Sequence, residues 1–137
     1  MDKDSLNGPD GATPPGPVLV IDDEENVRLV AARMLERRGF AVLTAADGPS
    51  GVALYESSAM PVGAVLLDLS MPQMSGVEVA RSLRRLDPSV RIVLMTGYAE
   101  EDARRRFAEM GVAAFLQKPF TLGDLAGAMQ LVLGAPD

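Results

Sequence analysis

Val18-Leu-Val-Ile-Asp-Asp-Glu-Glu25 is the stretch that decides the fold. Four aliphatic residues without a polar break have the length and character of a strand buried on both faces, and such strands belong to parallel sheets. The two acids that close the run mark where the chain leaves the sheet. The pattern recurs further along. Ala64-Val-Leu-Leu67 ends in Asp68, Ile92-Val-Leu-Met95 ends in Thr96, and Ala113-Ala-Phe-Leu116 runs on to Lys118 and Pro119. In open α/β sheets ligands bind beyond the carboxyl ends of the strands, so these distant residues are expected to converge. Three acids, a hydroxyl and one lysine gathered at a rim suit a divalent cation together with a phosphoryl group.

Helical patterns lie between the runs. Strands are expected at Val18–Asp22, Phe40–Ala45, Ala64–Asp68, Arg91–Met95 and Ala113–Leu116. Helices are expected at Glu24–Arg38, stopped by Gly39, at Pro49–Ser57, opened by Asp47, at Val77–Leu86 and at Glu100–Met110, stopped by Gly111. Thr121 caps a final helix through Leu133. Five strand–helix units with short connections imply right-handed crossovers and a doubly wound parallel sheet covered on both faces. The order 2-1-3-4-5, that of a flavodoxin-like fold, suits five strands.

The 137 residues are about one domain, with 47% hydrophobic and 23% charged residues, the proportions of an ordinary globular protein. Met1 to Pro17 is rich in Gly and Pro and reads as a disordered leader or linker. The folded unit is expected over 18–133, with a short tail at 134–137. The net charge of -6 argues against direct nucleic-acid binding, which needs excess Lys and Arg. Without cysteine there is no disulfide, thiolate zinc site or thiol nucleophile. Without histidine the chain lacks the commonest general base and cannot itself carry a phosphohistidine. No apolar run approaches the roughly 20 residues that cross a bilayer, so no membrane partner and a cytoplasmic location are expected.

Each candidate also has a bland alternative. Asp22 and Asp23 suit Mg²⁺, a hard cation that takes oxygen ligands, but acids also favour a helix N-terminus. Asp68 can act as a nucleophile on phosphorus if a cation screens the incoming charge, or it can be a solvated loop residue. Thr96 can donate to a phosphoryl oxygen or cap the next helix. The pair Lys118-Pro119 fixes an extended backbone or a cis bond, which would aim the ammonium inward as a phosphate ligand. Arg104, Arg105 and Arg106 fall four residues after Glu100, Glu101 and Asp102, the pattern of a salt-laced exposed helix. Arg81, Arg84 and Arg85 read as solvated.

Val-Leu-Val-Ile-Asp-Asp-Glu-Glu, Leu-Asp-Leu-Ser-Met-Pro-Gln-Met-Ser-Gly, Met-Thr-Gly-Tyr-Ala and Phe-Leu-Gln-Lys-Pro-Phe occur here in one order and spacing. In this the chain resembles the receiver domain of two-component response regulators over Val18 to Leu133. The resemblance implies a phosphoacceptor at Asp68. It implies Mg²⁺ held by Asp22, Asp23, Asp68 and the backbone carbonyl of Ser70, with Thr96 and Lys118 on the phosphoryl oxygens. Phe115 matches the aromatic that couples to Thr96. The implied donor is a sensor histidine kinase or a histidine phosphotransfer protein. The implied output is a change of surface over Glu100–Met110, Ala113–Leu116 and the final helix, a face that also leaves a homodimer open. A receiver of this kind catalyses only its own phosphorylation and dephosphorylation.

Two other readings fit parts of the pattern. A phosphatase with an aspartyl nucleophile commonly carries a second Asp two positions on, where this chain has Ser70. A flavodoxin-like binding module independent of phosphorylation has no use for the full set of acids, Thr96 and Lys118. A stand-alone regulator and the C-terminal receiver of a hybrid histidine kinase both suit the sequence, and the downstream target is not legible in it. By the resemblance, Ser70 and Tyr98 tune the lifetime of the acyl phosphate, and neither side chain is an acid or amide able to orient water. Slow autodephosphorylation is therefore expected. Its check is the decay of purified phosphoprotein without any partner, and loss within seconds would contradict it.

Overall fold

The computed structural model describes residues 16–69, 71, 74–97 and 111–133. Five parallel strands, β1 (Val18–Ile21), β2 (Val42–Ala45), β3 (Ala64–Asp68), β4 (Ile92–Thr96) and β5 (Ala114–Gln117), form one sheet in the order β2-β1-β3-β4-β5. This is the order expected from the sequence. The described helices are α1 (Glu25–Arg37), α2 (Gly48–Ser57), α3 (Gly76–Leu86) and α4 (Leu122–Leu133). The expected helix at Glu100–Met110, with its arginine run, lies outside the described residues, as do positions 1–15 and 134–137.

Alternate residues of each strand feed opposite layers. Val18, Val20, Ala64, Leu66, Val93 and Met95 pack with Ala31 and Leu35 of α1 and with Leu125, Ala128 and Met129 of α4. Leu19, Ile21, Val65, Leu67, Ile92 and Leu94 pack with Val79, Ala80 and Leu83 of α3, and Val52, Leu54 and Tyr55 of α2 join them. Because both faces are covered, the strands carry aliphatic residues at consecutive positions rather than alternating with polar ones.

Local chemistry sets the element ends. Gly39, at φ +92, provides the left-handed residue that closes α1. The chain does not pair at once: the N–H of Phe40 still bonds the carbonyl of Leu35, so β2 starts at Val42 rather than at Phe40. β4 and β5 each run one residue later than the aliphatic pattern suggests, which brings Thr96 into the sheet. α2 opens on Asp47, whose carboxylate accepts from the Ser50 N–H and is held below its usual pKa by that bond. α3 opens on a capping box between Ser75 and Glu78. The Tyr55 hydroxyl ties α2 to the end of α3 by donating to Asp87 at 2.6 Å. Burial and the Asp87 carboxylate push the Tyr55 pKa up.

Arg84 is not the solvated residue its helix pattern suggests. Its guanidinium donates to the carbonyls of Pro88 at 3.1 Å, Val90 at 3.2 Å and Gly111 at 3.1 Å. It thereby staples the turn before β4 to the approach to β5.

α2 lies close on β1 because Gly51 faces the fully buried Ile21. A Cβ at Gly51 would stand 2.4 Å from Ile21 Cδ1 and 2.8 Å from Cγ1. Gly51→Val is therefore expected to destabilise the protein by about 1–3 kcal/mol through overpacking. Chemical denaturation reads this as a lower midpoint at an unchanged slope.

Candidate functional site

The strand order puts β1, β3, β4 and β5 side by side, so their carboxyl ends form a single rim. Asp22 follows β1 directly and is fully buried. Asp68 is the last residue of β3, opposite Met95 of β4, and is 4% exposed. Thr96 ends β4 opposite Gln117 of β5 and is buried as well. Asp23 is exposed at the start of the loop. Carboxylate oxygens of Asp22, Asp23 and Asp68 lie within 4.8 Å of one another, a spacing that one cation can bridge.

Lys118 closes the group from the far side. The N–H of Lys118 bonds the carbonyl of Thr96 at 2.7 Å, which continues the β4–β5 ladder by one step and fixes where the side chain starts. The Lys118-Pro119 peptide is cis. From there the stem reaches past β4, and Nζ lies 2.8 Å from Asp22 Oδ2, 3.2 Å from Asp68 Oδ1 and 3.6 Å from Glu24 Oε1. Burial works against this ammonium, but the Asp22 contact and the charges of Asp68 and Asp22 outweigh it, and its pKa lies above the ordinary lysine value. A raised lysine pKa keeps the charge throughout the neutral range, and the stability it contributes is lost only as pH rises through that value.

Asp22 is held on every side. Its N–H donates to the carbonyl of Ala45, its Oδ1 accepts from the N–H of Glu24 at 2.9 Å, and its carbonyl accepts from Arg28 Nη1 at 2.8 Å. Oδ2 faces Lys118 and receives no aligned hydrogen bond among the described residues. A fully buried carboxylate oxygen left in this way is a natural ligand for a second cation. The acidic pair does not serve as a side-chain cap: Glu24 occupies the N-cap position of α1 without a capping bond.

Five of the residues singled out from sequence are thus described at or beside one rim. Asp22, Asp23, Asp68 and Lys118 meet directly, and Thr96 ends the strand that Lys118 extends. Phe115 sits on β5 opposite Leu94 and packs with the α2/α3 layer. Ser70 and Tyr98 lie outside the described residues. Sequence reasoning missed Arg28 and the approach of Glu24 to Lys118. Neither carries a residue-type signal, because the first contact is to a backbone carbonyl and the second depends on where β5 ends.

A family profile described as the response regulator receiver domain matches residues 18–130. The chain is 34% identical over 120 residues to the Sensor kinase CckA of Brucella abortus, an overlap of 88% of this chain and 13% of that protein. It is 26% identical over 116 residues to the Sporulation initiation phosphotransferase F of Bacillus subtilis, covering 85% of this chain and 92% of that one. With the Transcriptional regulatory protein PrrA of Mycobacterium tuberculosis it shares 35% identity over 123 residues, 90% of this chain and 52% of PrrA. The chain therefore spans a small part of the kinase, about half of PrrA and most of the phosphotransferase. Among solved structures, the Vibrio cholerae chemotaxis protein CheY4 matches with a TM-score of 0.81 at 27% identity, covering 89% of this chain and 100% of that chain. FixJ-N matches with a TM-score of 0.77 at 30% identity, covering 86% and 93%.

Replacing Lys118 by Met leaves Asp22 and Asp68 buried without their cation. The expected cost is about 2 kcal/mol, between that of an exposed pair and that of a fully buried one. Millimolar Mg²⁺ should recover part of it, since a bound cation relieves the repulsion among the acids. Thermal melts with and without Mg²⁺ check this, and an unchanged or higher melting temperature for K118M without Mg²⁺ would contradict it.

Proposed function

The chain belongs to the response regulator receiver domain family, and we propose that Asp68 accepts a phosphoryl group from the phosphohistidine of a sensor histidine kinase or histidine phosphotransfer protein. Its work is signalling rather than metabolic catalysis. One arrangement supports this reading: three carboxylates share a rim, Lys118 stands between Asp22 and Asp68, and among the described residues no aligned hydrogen-bond donor reaches the buried Asp22 Oδ2.

The donor set fits Mg²⁺. Asp22, Asp23 and Asp68 would hold it through carboxylate oxygens, and the backbone carbonyl of Ser70, outside the described residues, would add a further oxygen. When bound, Mg²⁺ neutralises charge on the transferring phosphoryl group and so lets a carboxylate approach it.

The chain's own residues do the rest. A carboxylate oxygen of Asp68 attacks phosphorus as the N–P bond of the phosphohistidine breaks, and the bonding electrons leave with the imidazole. The product is an acyl phosphate on Asp68. The Lys118 ammonium, 3.2 Å from Asp68 in the resting state, follows the added charge onto a phosphoryl oxygen. The Thr96 hydroxyl donates to another. Drawing Thr96 toward the phosphate frees space at the end of β4 that Phe115 takes from β5. The surface of β5 and α4 then changes as the population shifts between two packings, and the expected helix Glu100–Met110 of that face lies outside the described residues. That surface is also where a homodimer would form. Hydrolysis of the acyl phosphate by water resets the switch, so the chain catalyses only its own phosphorylation and dephosphorylation. Exchange with a kinase suits a cytoplasmic location, and no described helix is long and apolar enough to cross a membrane.

Neither alternative is favoured by the family. An aspartyl phosphatase would turn over without a lasting adduct, and a phosphorylation-independent module would not react. Incubation with Mg²⁺ and acetyl phosphate followed by intact mass measurement is expected to show one phosphoryl group per chain. Asp68→Asn should abolish the adduct, and omission of Mg²⁺ should suppress it. An adduct that survives D68N would overturn the assignment.

A further inference from the structure

The pair Asp22-Asp23 has to turn out of the sheet with both carboxylates aimed at Asp68, and the peptide between them controls that turn. Its oxygen is the Asp22 carbonyl, which accepts from Nη1 of Arg28 at 2.8 Å. Arg28 is half-buried in the first turn of α1, and its own N–H bonds the carbonyl of Glu24. Arg28 therefore grips the loop 22–24 twice, once by backbone and once by side chain. The other polar groups of Asp22 point to β2, to Glu24 and to Lys118. The guanidinium is the contact that fixes the plane of the peptide joining the two acids, and with it the direction in which Asp23 departs.

We infer that Arg28 is a positioning residue for the cation site, holding the Asp22–Asp23 peptide so that the acidic pair is ordered before a cation arrives. The inference rests on the Mg²⁺-dependent reading above and assigns a task to a residue outside the ligand set. Two effects of opposite sign meet at Arg28. Its positive charge opposes a second cation nearby, so by charge alone its removal would tighten Mg²⁺ binding. Its grip on the backbone spares the site the ordering of a loose pair, so by position its removal weakens binding. The charge is delocalised and partly solvated, which screens the first effect. The carbonyl contact is short and charge-assisted, and the second effect prevails.

The test is a Mg²⁺ titration of the full chain followed by amide NMR, at fixed ionic strength and without phosphodonor. Wild type, R28M, R28K and R33M are compared, and melting curves confirm that each is folded. Arg33 is exposed on the same helix, so R33M removes the same charge without touching the loop. R28M is expected to bind about tenfold more weakly. R28K, which keeps the charge and one donor but loses the planar fork, should bind about threefold more weakly. R33M should stay within about twofold of wild type. Binding by R28M as tight as wild type, or tighter, overturns the inference, as does an equal loss in R33M. Should R28M fail to fold, R28K decides by the same criterion. A wild-type chain with no saturable Mg²⁺ response overturns the Mg²⁺-dependent function and this inference together, whereas wild-type binding that the Arg28 variants match overturns this inference alone.

Discussion

Carboxylates crowded at the edge of an apolar sheet repel one another, and a fold that gathers them must also supply a cation. In this chain the resting cation is the Lys118 ammonium, 2.8 Å from Asp22 and 3.2 Å from Asp68. The strand order gives this contact its length. β5 is separated from β3 by β4 and from β1 by both, so the bridging side chain has to be long, and the strand it passes ends in a small residue, Thr96. A shorter cation on β5 would not reach. The ion pairs therefore do more than offset charge: they join the ends of β1, β3 and β5, strands whose middles are held by aliphatic packing.

This arrangement links the two layers of the molecule. Met95, next to Thr96, belongs to the layer packed by α1 and α4, whereas Phe115 on the neighbouring strand packs with the layer under α2 and α3. A displacement at the end of β4 is consequently felt on both faces. Packed cores respond to such displacements by exchanging one arrangement for another rather than by bending smoothly, which suits a switch. The approach to β5 is meanwhile pinned by Arg84 through the carbonyl of Gly111. The approach to the amino end of β5 is thus held by a contact separate from those at the rim.

The sheet side of the structure depends on close approach. Gly51 brings α2 onto Ile21, and Gly48 does the same against Val79 and Met74. This tight seating leaves β1 with little freedom to slide, and β1 carries Asp22. The acidic pair is thus tied to the core by the bond from Asp22 N–H to Ala45, and at the rim Arg28 and Lys118 contact Asp22.

Much of this was legible in the residues themselves. The aliphatic runs at Val18, Ala64 and Ile92 announced buried parallel strands, and the polar residue closing each run announced the rim, because burial on two faces excludes polar side chains until the strand ends. Asp22, Asp68 and Thr96 could be named for the same reason, Asp23 as the neighbour of Asp22, and Lys118 by its pairing with Pro119. The boundaries of β2, β4 and β5 shifted by one or two residues, since Phe40 stays bonded to the end of α1 and ladder pairing, not hydropathy, decides where a strand stops. Tertiary structure alone decided the contacts of Arg28 and Arg84. Both donate to backbone carbonyls, a group every residue possesses, so no pattern of side-chain types marks the acceptor. Only the folding of the chain brings those oxygens within reach.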